Sequence, residues 1–245
     1  MSSFRIVALI SGEGTNLQYL INLINSGVVN AKLVSVISNN ASANGLNRAN
    51  VNNIPTHVLE WDSTTESREE YNVRLADLVS QYKYDVIYCL GWLFILNGEF
   101  LSRHPRIINL HPALPGELPG QNVAEKAYNA YKSGKITRTG VMVHEVIEKI
   151  DAGNCLSSRM LVFNDNETLE EFKNRMSFVE KEVVLEGLQR FMSNLEYDME
   201  QYNLSVSDIN NVIQYGKVRD YWDIGYNYMV FSHSDRQSAF DRHLC

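Results

Sequence analysis

Short apolar runs alternate with helical stripes from the first residues of this chain, and that alternation narrows the fold more than any other feature. Phe4–Ile10, apolar but for Arg5, is rich in branched residues and is followed by Gly12 and Gly14. Such a run suits a strand buried on both faces. Leu17, Leu20, Ile21 and Ile24 then recur at helical spacing, with Gly27 where a helix would stop. Leu33–Ile37 is expected as a second buried strand, 43–52 as a short helix and His57–Trp61 as a third strand. Ser67-Arg-Glu-Glu70 has the form of a capping box and opens a helix with Tyr71, Leu75, Leu78 and Val79 on its apolar face. Val86–Leu90 and Ile107–Leu110 read as two more buried strands, and Val123–Tyr131 as a helix. Val141–Ile147 and Leu156–Phe163 alternate more and read as an antiparallel flank of the sheet. Thr168-Leu-Glu-Glu171 is a second capping box. It begins the longest helix, with Leu169, Phe172, Met176, Val179 and Val183 on one stripe. The expected fold is α/β: a Rossmann-like, mainly parallel sheet with helices on both faces. Ligands of such sheets gather beyond the strand C-terminal ends.

A chain of 245 residues can bury a full core. Its net charge of -7 argues against a broad nucleic-acid or membrane-surface footprint, which would need clustered Lys and Arg. A small anion site built from backbone amides is still allowed. The three cysteines, Cys89, Cys155 and Cys245, lie far apart with no C-x-x-C pair, and His57, His104, His233 and His243 show no ligand spacing. Neither a disulfide framework nor a metal site is expected, and the pattern fits a reducing compartment. Ile6–Ile10 is too short for a signal-peptide core or a membrane span, so a cytosolic protein is expected. Beyond about Asn194 the character changes. Residues 196–211 are polar and acidic, as in a linker, and 212–245 form a Tyr-rich stretch with short strand-like pieces. The expected division is therefore a domain over 1–195, a linker over 196–211 and the start of another β unit over 212–245.

Three constellations carry chemistry. Ser11-Gly-Glu-Gly-Thr-Asn16 joins the first strand to the first helix. Glycines there let backbone N–H groups approach an anion, and the helix N-terminus adds partial positive charge. Leu17 stands where a dinucleotide fingerprint needs Gly, and no Gly-Lys-Ser/Thr follows, so the loop suits a phosphate but matches neither nucleotide motif. The plain alternative is a tight turn before a capped helix. Asn109-Leu-His111-Pro sits at the end of a buried strand, and alternation puts Asn109 and His111 on one side. Polar groups at an apolar strand tip cost desolvation unless paired or used. The Asn amide can donate to an oxyanion, and the His can donate or shuttle a proton; a lone His of this kind is more often a simple strand cap. Asp151-Ala-Gly153 follows the strand that carries His144. An acid beside a Gly is usually a turn former, and becomes a proton-transfer candidate if the fold brings it to His111. His144 is expected to act through a neighbour or to be structural.

In this order the motifs resemble those of the folate-dependent glycinamide ribonucleotide formyltransferases over about Phe4–Leu195. The matches are Ile10-Ser-Gly-Glu-Gly-Thr-Asn-Leu17, Gly45-Leu-x-Arg48-Ala, Ser67-Arg68-Glu, Gly91-Trp-Leu, Ile95-Leu96, Asn109-Leu-His-Pro-Ala-Leu-Pro115, and Val143-His144 followed by Asp151-x-Gly153. The resemblance implies a Rossmann-like formyltransferase domain with 10-formyltetrahydrofolate as co-substrate and no bound cofactor or metal. Its partners would be small molecules, with no nucleic acid or membrane, and it would act as a monomer or homodimer. Carried over by position, Gly14, Thr15 and Asn16 would hold the ribonucleotide phosphate and Glu180 the glycinamide part. Asn109, His111 and Asp151 would be the catalytic set. Arg68, the turn Leu93, Phe94, Ile95 and Leu96, and the loop Ile147, Glu148, Lys149, Ile150 and Asp151, together with Asn109, would line the folate pocket. Two departures stand out. Phe94 replaces a basic residue of many bacterial members, and Ala113-Leu-Pro-Gly-Glu-Leu-Pro-Gly120 is shorter than the common bacterial loop.

Other folate formyl-handling enzymes, such as methionyl-tRNA formyltransferase and the formyltetrahydrofolate hydrolases, share the Asn-x-His-Pro and Asp arrangement. The phosphate-type loop favours the phosphoribosyl substrate, and a basic tRNA-binding domain is not evident. A non-catalytic scaffold is the alternative outside enzymes, and the intact Asn109, His111 and Asp151 speak against it. Gly216-Lys-Val-Arg-Asp220 and Ser234-Asp-Arg-x-Ser-Ala-Phe-Asp241 resemble the opening of SAICAR synthetase, an ATP-using ligase. The stretch is far too short for that ligase, so a truncated second domain without ligase activity is expected, either from a bifunctional protein or as a remnant.

Overall fold

The computed structural model describes residues 3–201. In chain order the elements are β1 (Phe4–Ile10), α1 (Thr15–Asn25), β2 (Ala31–Ser38), α2 (Asn44–Val51), β3 (Thr56–Val58), α3 (Arg68–Val79) and β4 (Val86–Cys89). They continue with α4 (Gly98–Arg103), β5 (Ile107–His111), α5 (Val123–Lys132), β6 (Arg138–Glu145), β7 (Cys155–Val162) and α6 (Leu169–Gln201). The strands form one sheet in the order β3-β2-β1-β4-β5-β6-β7. β1 to β5 pair in parallel, and β6 and β7 complete the sheet antiparallel. The chain builds outward from β1 to β3 and then returns to β4, so β1 and β4 flank the switch point where such sheets bind ligands. The first compact unit ends at Phe191 and carries every residue of the site described below.

Alternation along each strand explains why both faces are covered. Val7, Leu9, Ile37, Ile87, Cys89 and Ile107 pack on one side with Tyr71, Leu75, Ala76 and Val79 of α3 and Phe100 of α4. Tyr88 points to the other side, where its hydroxyl donates to the Val184 carbonyl of α6 at 3.0 Å. Burying side chains of this size contributes about 1.5–3 kcal/mol each, so the two-sided strands are the main source of stability. Both capping boxes form. Glu70 N donates to Ser67 Oγ at 3.2 Å while Ser67 N donates to Glu70 Oε2 at 2.8 Å, and Thr168 and Glu171 repeat the exchange before α6.

Several boundaries differ from expectation for physical reasons. β3 stops at Val58 rather than Trp61, because its partner β2 ends at Ser38, opposite Val58. Leu59 and Trp61 bury apolar surface against the α3 cluster from the loop instead. β6 starts at Arg138, since pairing with β7 carries on through Thr139 opposite Leu161 and Arg138 opposite Val162. Its far end is Glu145, so Val146 and Ile147 lie in the loop. α4 was not expected. It is six residues long and is capped by Asn97 Oδ1, which accepts from Phe100 N at 3.0 Å. α6 runs to Gln201, into the stretch read as linker. The rest of 202–211 and the segment 212–245 that resembles SAICAR synthetase lie outside the described residues.

His104, which shows no ligand spacing in the sequence, joins two elements. It is 3% exposed, with Nε2 3.0 Å from the Ala76 carbonyl and Nδ1 2.6 Å from Tyr84 Oη. A carbonyl only accepts, so Nε2 carries the proton and Nδ1 accepts from the tyrosine. Burial pulls this imidazole down to about 4. Its folded pKa thus lies below the unfolded value of about 6.5, and the unfolded chain takes up the proton first. Stability from this site is whole above about 6.5 and declines as pH falls toward 4, by roughly 3 kcal/mol. Denaturant unfolding at pH 7 and pH 4.5 checks this: His104→Gln is expected to lose less stability between the two than the wild type, and equal losses refute the assignment.

Candidate active site

The loop after β1 is shaped by close backbone packing. Gly14 is the N-cap of α1, with φ 68 in the left-handed region, and no side chain caps the helix there. The first-turn amides, Thr15 and Asn16 among them, have no intrahelical acceptor and no side-chain cap, which is the setting in which a helix N-terminus binds an anion. The loop is held from α2. Gly45 N donates to Gly12 O at 3.1 Å and Arg48 Nε to Glu13 O at 2.8 Å. A Cβ on Gly14 would lie 2.5 Å from the Gly45 Cα, whereas one on Gly12 would meet nothing within 4 Å. Gly14→Ala is therefore expected to push α1 away from α2 at a strain of about 1–3 kcal/mol, and Gly12→Ala to be tolerated. Isothermal titration with inorganic phosphate checks the pair: an unchanged Kd in Gly14→Ala would show that the loop does not need this backbone.

Asn16 is 9% exposed, and its Nδ2 donates to Glu180 Oε2 of α6 at 2.8 Å. Its Oδ1 is buried without a partner. Burial pushes the Glu180 carboxyl above its usual range, against the opposing pull of the Asn16 amide. Gly14, Thr15, Asn16 and Glu180, separated by more than 160 residues, thus share one corner.

A second cluster stands at the end of β5. The antiparallel register sets His144 opposite Asn109 and Met142 opposite His111, so Asn109, His111 and His144 fall on one face. Asn109 Nδ2 is 3.2 Å from His144 Nε2, and His144 Nδ1 is 2.8 Å from the Glu145 carbonyl. Asp151 Oδ1 lies 3.5 Å from both His111 Nδ1 and His144 Nε2. Its other oxygen accepts from Gly120 N at 2.9 Å. Asp151 itself has φ 51, an uncommon backbone for an acid, held by the loop around it. Gly153 makes that loop possible: a Cβ there would sit 1.8 Å from the Glu145 carbonyl oxygen. Burial lowers the His111 imidazole, only partly opposed by the Asp151 charge. Burial raises Asp151, but His144, the Gly120 amide and His111 outweigh it and hold the carboxyl below its usual range. At neutral pH the cluster offers a neutral imidazole, an amide and an ionised carboxylate within reach of one another. That combination can stabilise a developing oxyanion and accept a proton.

At the C-terminal edge of the sheet the loop after β1 is tied to the turn after β4: Leu93 N donates to Ser11 Oγ at 2.9 Å. With this geometry, the formyl transferase family model matches residues 4–188. The chain belongs to the formyl transferase family. Among curated relatives of this formyltransferase, the phosphoribosylglycinamide formyltransferase of Dictyostelium discoideum is 38% identical over 200 residues, covering 76% of this chain and 97% of the relative. That of Saccharomyces cerevisiae is 40% identical over 210 residues, covering 78% and 98%. The solved phosphoribosylglycinamide formyltransferase of Bacillus halodurans superposes with a TM-score of 0.71 at 25% identity, covering 77% of this chain and 95% of that one.

The remaining positions expected to line the folate side of the formyltransferase divide into two kinds. Leu93, Ile95, Ile147 and Ile150 are large apolar side chains left exposed. Leu96 instead belongs to the core under α3, and Phe94 packs against that core. Arg68 is stacked, its guanidinium carbon 3.5 Å from the Trp61 ring centre and 4.1 Å from that of Phe94. The loop after β6 approaches the turn after β4. Val146 packs on the same cluster as Leu96, and Glu148 Oε1 lies where a Cβ on Gly98 would come within 2.8 Å. Lys149 closes the loop by accepting from Ala152 N at 3.3 Å. Sequence reasoning missed the segment between β5 and α5. Leu118 O is 3.2 Å from His111 Nε2, Gly120 N holds Asp151, and the Gln121 side chain donates to Leu93 O. Its only signal was the Pro-Gly spacing at Pro115-Gly116 and Pro119-Gly120. Among the described residues, no group of three or more His, Cys, Asp or Glu side chains is set to hold a metal ion, and no helix is long and apolar enough to cross a membrane.

Proposed function

We propose that this chain transfers the formyl group of 10-formyltetrahydrofolate to the amine of glycinamide ribonucleotide, a step of purine biosynthesis, with no bound cofactor or metal. The observation that carries the reading is the convergence of Asn109, His111 and Asp151 at the tip of β5, on the same sheet edge as the uncapped helix start at Gly14. The names of the relatives, whose length the chain covers almost wholly, support the choice of substrate. Gly14, Thr15 and Asn16 take the phosphate through first-turn amides, and Glu180 the glycinamide end. The exposed apolar side chains of Leu93, Ile95, Ile147 and Ile150, with stacked Arg68, take the folate. The amine nitrogen bonds to the formyl carbon, and the carbonyl oxygen becomes an oxyanion that Asn109 and His111 stabilise as donors. The bond from that carbon to the folate nitrogen then breaks. The proton lost by the amine passes, with Asp151 as acceptor and donor through a water, to the departing nitrogen. The working unit is a cytosolic monomer or homodimer that needs no macromolecular partner.

The test mixes purified full-length protein with 10-formyltetrahydrofolate, with and without glycinamide ribonucleotide, and follows the absorbance change as the folate loses its formyl group. Turnover that depends on the ribonucleotide supports the reading. Deformylation that proceeds equally without it identifies a hydrolase, and an inert protein defeats both.

A further inference from the structure

His144 touches the catalytic cluster through an arrangement that fixes which atom of Asn109 faces it. The ring is 1% exposed and held from both sides. Its Nδ1 lies 2.8 Å from the Glu145 carbonyl oxygen, which can only accept, so Nδ1 carries the proton. In the neutral ring Nε2 is then a bare acceptor, and it stands 3.2 Å from Asn109 Nδ2. An amide oxygen in that place would set lone pair against lone pair, so the ring selects the amide nitrogen. Asp151 Oδ1 lies 3.5 Å from the same Nε2, at the limit of a hydrogen bond, so the carboxylate competes with the Asn109 amide for this nitrogen, and the shorter contact, 3.2 Å to Asn109 Nδ2, sets its role in the neutral ring. Without such a partner the two ends of the Asn109 amide are nearly the same size, and either orientation fits. Only one of them leaves an N–H free for an oxyanion on the strand tip shared with His111.

We propose that His144, locked as the Nδ1–H tautomer by the Glu145 carbonyl, is a positioning residue that orients the Asn109 amide with its nitrogen toward the reacting oxygen. The inference rests on the proposed function only for its kinetic half. Cross-strand register supplies the geometry: Asn109 and His144 are directly opposed on β5 and β6, and the pairing of β6 with β7 shifts register between Val143 and His144. The ring does not touch substrate in this role. Its effect is confined to the transition state, where the amide donor is used, and so belongs in kcat rather than KM.

Two variants separate positioning from packing. In His144→Asn the shorter amide can keep donating to the Glu145 carbonyl but does not reach Asn109. In His144→Gln the side-chain oxygen can take the place of Nε2 as acceptor. His144→Asn is expected to lower kcat about tenfold, the scale of one misdirected hydrogen bond, with KM for both substrates within about twofold, and His144→Gln to restore most of the loss. In an Asn109→Ala background His144→Asn is expected to cost nothing further. The same tenfold cost in both backgrounds overturns the proposal, as does a His144→Gln variant no better than His144→Asn. An independent reading uses the intact protein labelled with ¹⁵N-histidine, the His144 ring signal being assigned by its loss in His144→Gln. The Nδ1–H tautomer supports the proposal and the Nε2–H tautomer overturns it. If the wild type shows no ribonucleotide-dependent turnover, the proposed function falls, and the ring signal alone then decides the His144–Asn109 contact.

Discussion

Asp151→Asn is expected to lower kcat about 10²–10⁴-fold, the range lost with a general acid–base group, while leaving the fold and both KM values nearly unchanged. The substitution conserves shape. The new side-chain oxygen can still accept from Gly120 N, as Asp151 Oδ2 does at 2.9 Å. What changes is the other end, where an oxygen 3.5 Å from both His111 Nδ1 and His144 Nε2 becomes an NH₂ group. A proton acceptor is lost, and so is the charge that partly supports His111 against burial. The sign of the wild-type pH dependence follows from the same contacts. Asp151 is held below the ordinary carboxylate range, so it stays ionised through neutral pH, and its contribution to stability, present above the unfolded value of about 3.9, is lost only as pH falls through the lower folded value. Steady-state kinetics of the purified variant beside a melting curve measure this. A variant retaining more than about a tenth of wild-type kcat removes Asp151 from the proton path.

Much of the fold was legible because the sheet is buried on both faces. β1, β2, β4 and β5 are apolar runs too short for helices, and their burial at Ile6–Ile10, Val36–Ile37, Val86–Cys89 and Ile107–Ile108 is what those runs encode. The elements that were misjudged carry their signal elsewhere. β6 begins at Arg138-Thr139-Gly140, with no apolar mark, and Gly140 is there because a Cβ would lie 2.3 Å from the Arg159 carbonyl oxygen on β7. α4 has a single buried side chain, Phe100, which one helical turn of sequence cannot distinguish from a loop. Leu59 and Trp61 are apolar for the sake of the α3 core, and a strand reading of them fails because β2 is already used up.

The site divides in the same way. Gly12–Asn16 and Asn109–His111 were visible because strand-end glycines and paired polar residues on an apolar strand are costly unless used. That Asp151 would reach His111 needed the turn back at Gly153. That Asn16 would meet Glu180 needed the packing of α1 beside α6, 164 residues later in the chain. His144 was expected to act through a neighbour or to be structural, and only the register of β5 with β6 puts it directly against Asn109. The contacts of Leu118 and Gly120 come from main-chain atoms, which no choice of side chain reveals.

Asn109→Ala and His111→Ala are each expected to lower kcat by about 10²–10³, the loss of one oxyanion donor. The two differ in what else should move. His111 is 3% exposed, packed 6.2 Å from the His144 ring centre and bonded to the Leu118 carbonyl. Its removal leaves a cavity and an unsatisfied carbonyl, so a loss of about 2 kcal/mol in stability is expected beside the kinetic effect. Asn109 is only half-buried, and its side chain has one protein partner of note, the acceptor Nε2 of His144. Asn109→Ala should therefore be nearly neutral in denaturant unfolding and severe in turnover. Donors that act in the transition state leave ground-state binding almost untouched, so both variants are expected to keep the wild-type KM for the ribonucleotide within about threefold. Were either to raise KM in proportion to its fall in kcat/KM, the side chain would be gripping the substrate rather than the oxyanion. Should both keep wild-type kcat, the tip of β5 is not where the chemistry occurs.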